Sequence, residues 1–202
     1  ANVKIIRLKG HGTKIEDLDN LEYGDFLEQI ENELKKDLDK GREIVLGGIS
    51  FGAQLALHLA GKYNVKGIFT VVVPHKLKFP FNIPFISILE IFKKKWKKRL
   101  HVTEIKLRKN AFHYSEMHSK GLKIVKRGTK EVNKNLEKIN APILAIHSKK
   151  EPIGHHSGVE YIERRVRSKI KKSFIFERPN HNLFYSEKNK EIAKLIGDFF
   201  EE

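Results

Sequence analysis

The pentapeptide Gly-Ile-Ser-Phe-Gly at residues 48–52 constrains the fold of this chain more than any other feature. It joins a strand-like run at 43–47 to a segment of small and apolar residues at 53–62 that predicts a helix. A serine between a strand and a helix needs a strained backbone and very small residues two positions to either side. Its hydroxyl then projects above the helix N-terminus, beside the N–H of Phe51. Ser50 is therefore a candidate nucleophile; the alternative is a glycine-rich turn with a buried serine.

An acidic residue and a histidine follow Ser50 along the chain, each just after a strand-like run. Glu151 comes after the run at 142–147, and His181 comes after the run at 172–176. The carboxyl ends of parallel strands meet at one edge of a sheet, so the three side chains are predicted to converge there. The alternatives are a solvated loop charge for Glu151 and a surface loop histidine for His181.

Strand-like and helix-like segments alternate along most of the chain, which predicts an α/β fold with a mainly parallel sheet and helices on both faces. The predicted strands are residues 1–8, 43–47, 67–73, 142–147 and 172–176. The predicted helices are residues 18–38, 53–62, 159–166 and 189–200. The alternation lapses between Pro74 and Asn140.

Four stretches resemble the α/β-hydrolase family, and within it the small carboxylesterases and monoacylglycerol lipases. They are Leu-Lys-Gly-His-Gly-Thr at 8–13, the pentapeptide at 48–52, residues 140–151, and Pro-Asn-His at 179–181. The resemblance implies an α/β-hydrolase core formed by residues 1–74 and 140–202, with residues 75–139 inserted as a helical cap over the active site.

The same resemblance implies a catalytic triad without a metal or another cofactor. Ser50 would be the nucleophile, His181 the general base, and Glu151 the residue that orients the imidazole. Phe51 would supply one backbone donor to the oxyanion. The family usually has Asp at the acid position, but this chain has no Asp between Ala111 and Gly197 that could compete with Glu151.

A second oxyanion donor is harder to assign. The family takes it from a loop that precedes the Gly-His-Gly loop, which in this chain is at 10–12. Residues 1–8 are interpreted as the strand between those two loops. The first strands of the fold are therefore expected to be absent from this chain, or the second donor comes from elsewhere.

The predicted cap changes character along its length. It begins with an aromatic segment that is expected to contact an acyl chain, through Phe79, Phe81 and Phe85. A cationic run surrounding Trp96 follows, and it predicts a weak contact with an anionic membrane surface. That run consists of Lys93, Lys94, Lys95, Lys97, Lys98 and Arg99. The alternative is that the aromatic part packs on the body of the protein and the lysines form a solvated helix face.

Composition limits the other possibilities. The 202 residues fit one domain, and 40 basic against 25 acidic residues give a net charge of +15. No nucleic-acid-binding motif accompanies this charge, so no nucleic-acid partner is expected. Cys is absent, which excludes disulfides and thiolate catalysis. The pair His155-His156 lacks further ligands for a metal. Without an export signal or a membrane-spanning run, a cytoplasmic protein is expected.

Three functions remain open at this level. The first is a serine hydrolase that cleaves carboxylic esters of short or medium acyl chains, or monoacylglycerol-like esters, through an acyl-enzyme. The second is a noncatalytic binding protein with an α/β-hydrolase-like fold. The third is a basic adaptor for a membrane surface or a nucleic acid, in which the turn at Ser50 is only structural.

Overall fold

A parallel sheet forms the centre of the fold in the computed structural model, which describes residues 2–79, 81–82, 95–97, 116–177, 183 and 188–201. Its strands are β1 (Val45–Ile49), β2 (Gly67–Val71), β5 (Ile143–Ser148) and β6 (Lys171–Phe176). They lie in the order β1, β2, β5, β6, and every neighbouring pair is parallel. A separate antiparallel pair consists of β3 (Lys95–Lys97) and β4 (Glu116–His118). The predicted α/β class with a mainly parallel sheet is confirmed.

The register of the sheet brings the carboxyl ends of all four strands to one edge. Ile49 lies opposite Val71, Val71 opposite Ile146, and Ile146 opposite Phe174. β5 is buried at every position, as expected for an inner strand of a parallel sheet that is covered on both faces.

Helices cover both faces of the sheet, as predicted. The helices are α1 (Tyr23–Leu38), α2 (Phe51–Ala60), α3 (Ser119–Asn135), α4 (Ser157–Arg165) and α5 (Asn189–Glu201). One face of the sheet packs against α2, α3 and α4, and the other packs against α5. Short 3-10 helices are formed by Ile15–Leu18 and Leu136–Lys138. α1 lies outside α2 and packs against it through a cluster that includes Tyr23, Phe26 and Leu55.

The start of α1 is later than the apolar spacing predicted. Ile15–Leu18 forms its own 3-10 turn, and α1 begins at Tyr23. The side chain of Asp25 accepts a hydrogen bond from the Glu22 N–H at 2.7 Å. This bond satisfies one of the N–H groups that the helix leaves without an acceptor, which fixes the first turn.

The prediction of a strand at residues 1–8 is wrong, because residues 2–8 form no hydrogen-bonded strand pair. Val3 and Ile5 are 82% and 91% exposed. The segment is instead attached to α1, since Lys4 pairs with Glu33 at 2.6 Å and Gln29 donates to the Arg7 carbonyl at 2.9 Å. A strand needs a neighbour that supplies the other half of each hydrogen bond, and β1 pairs only with β2 among the described residues.

The end of the interval 75–139 belongs to the same helical layer as α2. α3 buries Ile124 and Val132, and Val132 shares a core cluster with Ala53 and Leu57 of α2. Within the described part of the chain, no helix has the length and apolar character needed to cross a membrane.

Candidate active site

Ser50 occupies a strained turn between β1 and α2. Its backbone has φ 52° and ψ −118°, a conformation that costs a non-glycine residue on the order of 1–3 kcal/mol. Its N–H donates to the Val71 carbonyl at 2.8 Å, so the strand β2 holds the turn in place. The half-buried Ser50 therefore lies at the carboxyl edge of the sheet, where the sequence predicts it.

The prediction that Ser50 needs a very small residue two positions to either side is confirmed for Gly48 and wrong for Gly52. A Cβ atom at Gly48 would lie 2.2 Å from the carbonyl carbon of Gly52 and 2.5 Å from the Ala53 nitrogen. A Cβ atom at Gly52 would have no atom within 4 Å. The strand residue must be small because the helix backbone passes directly over it, whereas Gly52 faces open space.

Phe51 begins α2, and its ring fixes the position of that first turn. The ring lies edge-on to Phe26 at a centroid distance of 5.2 Å and to Tyr23 at 6.1 Å. Its backbone N–H is one of the first four of the helix, which have no acceptor within the helix. The N–H can therefore donate to a group bound beside Ser50.

A second strained turn follows β2, and sequence reasoning missed it. The strand was predicted to continue to Val73, but it ends at Val71 and the fully buried Val72 has φ 46°. The Val72 N–H donates to the Ile146 carbonyl of β5 at 2.8 Å. Valine favours strands and rarely adopts a positive φ, so the residue type at position 72 does not indicate this turn.

Glu151 follows β5 and is completely buried, so the alternative of a solvated loop charge is wrong. Its carboxylate accepts hydrogen bonds from the backbone N–H of Ile153, at 2.9 Å, and of Gly154. Lys78 donates to the backbone carbonyl of Glu151 at 2.6 Å. A Cβ atom at Gly154 would lie only 3.2 Å from Oε2 of Glu151, so the turn is shaped around this carboxylate.

Two buried histidines lie close to this turn. His147 is fully buried at the end of β5, and its Nδ1 accepts from the Ser148 N–H at 2.9 Å. Burial lowers the pKa of His147, and the charge of Glu151 opposes part of that shift. Burial also lowers the pKa of His75 to about 4. The His75 ring stacks on Tyr161 at 4.9 Å.

The described residues contain no group of three or more His, Cys, Asp or Glu side chains arranged to hold a metal ion. The rings of His155 and His156 stack on each other at 4.3 Å. His155 also contacts the hydroxyl of Ser157 at 2.8 Å.

Several predicted residues lie outside the described residues. They include His181 and Phe85, and of the cationic run at 93–99 only the backbone of β3 is described. Phe79 is 79% exposed and Phe81 is half-buried.

The end of β6 lies close to His181 in the sequence. Ser148 lies opposite Phe176, so β6 ends at the same edge of the sheet as β5, five positions before His181.

The structure thus brings two of the three predicted catalytic residues to one edge of the sheet. β1 and β5 are separated only by β2, so their axes are about 10 Å apart. Ser50 directly follows β1, and Glu151 is held in the turn after β5.

The strand order, the parallel register and the strained serine after β1 define the α/β-hydrolase fold. Structural comparison agrees, since the chain superimposes on many solved structures of this fold. A metagenome-derived lipolytic enzyme, from work on the pair LipS and LipT, has a TM-score of 0.81 at 16% sequence identity. The match covers 96% of this chain and 80% of that one.

Two further neighbours have the same fold. The monoacylglycerol lipase of Paleococcus ferrophilus has a TM-score of 0.72 at 16% identity, over 89% of this chain and 75% of that one. A soluble variant of monoglyceride lipase from Saccharomyces cerevisiae, in complex with a substrate analog, has a TM-score of 0.65 at 17% identity, over 89% and 67%. No family model matches the sequence, and no curated protein matches it.

Proposed function

We propose that this protein is a serine hydrolase that cleaves carboxylic esters through an acyl-enzyme intermediate. The observation that carries the proposal is the strained backbone of Ser50 at a strand-to-helix turn, with φ 52°. The buried Glu151 at the same edge of the sheet and a fold shared with lipolytic enzymes support it.

In this mechanism Ser50 Oγ attacks the ester carbonyl carbon while His181 accepts the serine proton. The Phe51 N–H and the N-terminal dipole of α2 stabilise the negative charge that develops on the carbonyl oxygen. His181 then donates its proton to the departing alcohol, which leaves an acyl-Ser50 ester. Water, deprotonated by His181, attacks this ester, releases the carboxylic acid and restores the serine.

The environment of Glu151 supports its role as the residue that orients His181. A glutamate has one more rotatable bond than the aspartate usual in the family. The Ile153 and Gly154 N–H groups compensate for that freedom because they hold both carboxylate oxygens. Burial also shields the carboxylate from water, which strengthens its interaction with an imidazolium.

Labelling with a fluorophosphonate probe tests the nucleophile. We expect covalent modification of the wild-type protein at Ser50, located by peptide mass spectrometry, and none in Ser50→Ala. Ser173→Ala, which changes an exposed serine on β6, is the matched control and should label like the wild type. Hydrolysis of p-nitrophenyl esters from acetate to dodecanoate should follow the same pattern. Labelling that persists in Ser50→Ala would refute the assignment.

Glu151→Gln tests the orienting carboxylate. The substitution keeps the side-chain size but removes the charge, so we expect kcat to fall by about two to four orders of magnitude. Glu160→Gln, which changes an exposed residue of α4, should leave kcat unchanged. An equal rate in both variants would remove Glu151 from the mechanism.

The substrate class proposed is an ester with a short or medium acyl chain, or a monoacylglycerol-like ester. Residues 75–139 would form the cap, with Phe79, Phe81 and Phe85 lining the acyl pocket. The exposure of Phe79 supports this placement, because a large apolar side chain open to solvent is available to an apolar ligand. The fold shared with two monoglyceride lipases supports the class as well.

A noncatalytic binding protein is the second candidate. In the described part of the chain β1 is an edge strand, and no strand on its outer side presents a second oxyanion donor. Loss of one donor lowers turnover by about two to three orders of magnitude. A wild-type protein that binds an ester analog but is neither labelled by the probe nor active on esters would support this candidate over the first.

A further inference from the structure

A buried glutamine links the helix that carries Ser50 to two other elements. Gln54 lies in the first turn of α2 and is fully buried. Its side-chain nitrogen donates to the Thr129 hydroxyl at 2.9 Å and to the Val125 carbonyl at 3.1 Å, both on α3. The Pro74 carbonyl, in the turn after β2, lies at 3.5 Å from the same nitrogen.

The orientation of this amide is determined by its neighbours. Val125 and Pro74 both present carbonyl oxygens, which accept hydrogen bonds and would repel the amide oxygen. The oxygen, Oε1, is therefore turned away, and it is buried without a partner. An unsatisfied buried acceptor destabilises the folded state and offsets the hydrogen bonds that the amide nitrogen donates, so the glutamine adds little net stability at this site.

The surrounding residues are shaped to accept this side chain. A Cβ atom at Gly128 would lie 2.6 Å from Oε1 of Gln54, so α3 carries a glycine where the amide lies. The Thr129 hydroxyl lies 3.3 Å from the Val125 carbonyl and 3.5 Å from that of Pro74. The amide, the hydroxyl and the two carbonyls form one polar cluster in an otherwise apolar helical layer.

This polar cluster lies where both ends of the interval 75–139 meet the rest of the protein. Pro74 directly precedes the interval, and α3 forms most of its final part. Just beyond Pro74 the chain runs antiparallel to the turn that holds Glu151. Leu77 forms a bridge with Gly154, and the Lys78 N–H donates to the Ile153 carbonyl at 2.8 Å.

We propose that Gln54 is a positioning residue that couples the packing of α3 to the orientation of Ser50. The amide transmits a shift of α3 to the first turn of α2, four residues after Ser50. A glutamine serves this role because apolar contacts between the helices would allow α3 to slide over α2, whereas directed hydrogen bonds hold one arrangement. The catalytic part of this inference rests on the proposed hydrolase function.

The test compares Gln54→Leu, Thr129→Val and Thr129→Ser with the wild type. Gln54→Leu removes all the hydrogen bonds that the amide donates. Thr129→Val removes the hydroxyl that accepts one of these bonds and that also lies near the Val125 and Pro74 carbonyls. Thr129→Ser keeps the hydroxyl and is the control that should restore wild-type behaviour. We expect the rate constant for fluorophosphonate labelling of Ser50, and kcat, to fall about tenfold or more in Gln54→Leu, with KM nearly unchanged. Thr129→Val should give a smaller decrease.

Two further measurements separate positioning from general damage. The denaturant midpoint of Gln54→Leu should change little, because the removal of the unsatisfied oxygen offsets the loss of the hydrogen bonds that the amide nitrogen donates. Amide hydrogen exchange should become faster in α2 and α3 and stay unchanged in β5. Wild-type labelling and exchange rates in Gln54→Leu would overturn the proposal. If the wild-type protein itself is not labelled, the hydrolase function fails, and the exchange rates alone decide whether Gln54 couples the two helices.

Discussion

At the residue scale, two strained backbones lie side by side at the edge of the sheet that contains the candidate site. Ser50 and Val72 are the non-glycine residues with positive φ among those described, and each directly follows one of two neighbouring strands. Each N–H donates across to the next strand, from Ser50 to Val71 and from Val72 to Ile146. Such strain persists only where surrounding bonds maintain it, and it is concentrated at functional sites.

Gly48 and Gly52 provide a matched pair of substitutions at the strained turn. Gly48→Ala would force its methyl group into the backbone of Gly52, so we expect a loss of about 3 kcal/mol or more of unfolding free energy and a loss of probe labelling. Gly52→Ala has open space and lies within α2, so it should leave stability unchanged or raise it by up to about 1 kcal/mol. Urea denaturation measures both. Equal destabilisation by the two substitutions would contradict the geometry of the turn.

At the scale of elements, α2 joins the separate parts of the molecule. Seven of its ten residues are buried, because the sheet lies on one side of the helix and α1 and α3 lie on the other. The turn after β2 has a similar linking role at the edge of the sheet. It contacts α2 through Pro74, and the adjoining His75 packs against Tyr161 of α4.

The buried His75 predicts how stability depends on pH. Its pKa is about 4 in the folded protein and about 6.5 when unfolded, so between these values the unfolded chain binds a proton that the folded protein does not. The folded state therefore loses stability as the pH falls through this range. His75 alone should lower the unfolding free energy by about 2 kcal/mol from pH 7 to pH 5.

Chemical denaturation at the two pH values measures this effect. His75→Phe keeps the ring stacked on Tyr161 but cannot bind a proton, so we expect a smaller decrease at pH 5 than in the wild type. His147, whose pKa is also lowered by burial, accounts for part of the remaining decrease. An identical pH dependence in His75→Phe and the wild type would show that His75 is accessible to protons in the folded state.

At the scale of the whole molecule, the net charge of +15 is the dominant long-range property. Many of the ion pairs are on the surface, such as Lys66 with Glu43 and Lys194 with Asp198, and each contributes little to stability. The excess of basic residues acts instead on the surroundings, because it attracts anionic surfaces over a distance of about one Debye length.

We expect binding to vesicles that contain phosphatidylserine at about 50 mM salt and loss of that binding at about 500 mM salt. Substitution of Lys93, Lys94, Lys95, Lys97 and Lys98 by Gln should weaken binding more than the same change at Lys40, Lys130, Lys138, Lys169 and Lys172. The second set is exposed, lies elsewhere in the chain and carries the same total charge. Vesicle co-sedimentation measures both sets. Equal weakening would show that the net charge, rather than the run at 93–99, is responsible.

The local pattern of residues was enough to predict the parallel sheet, its helices and the turn at Ser50. Apolar runs bounded by glycine and proline define strands such as β5, and the spacing of Leu27, Ile30 and Leu34 defines α1. The order of Ser50 and Glu151 after their strands predicted a common edge, because parallel strands all end on the same side. These features depend on near neighbours in the chain, so they can be recognised without coordinates.

Tertiary structure alone decided the features that depend on distant contacts. Residues 2–8 have the composition of a strand, yet they form none, since strand formation requires a partner across the ladder. The positive φ of Val72, the contact of Lys78 with the Glu151 carbonyl, and the polar cluster around Gln54 all arise from packing between segments far apart in the chain. Each depends on which surfaces meet in the folded molecule, and the residues next to it in the sequence do not determine which surfaces meet.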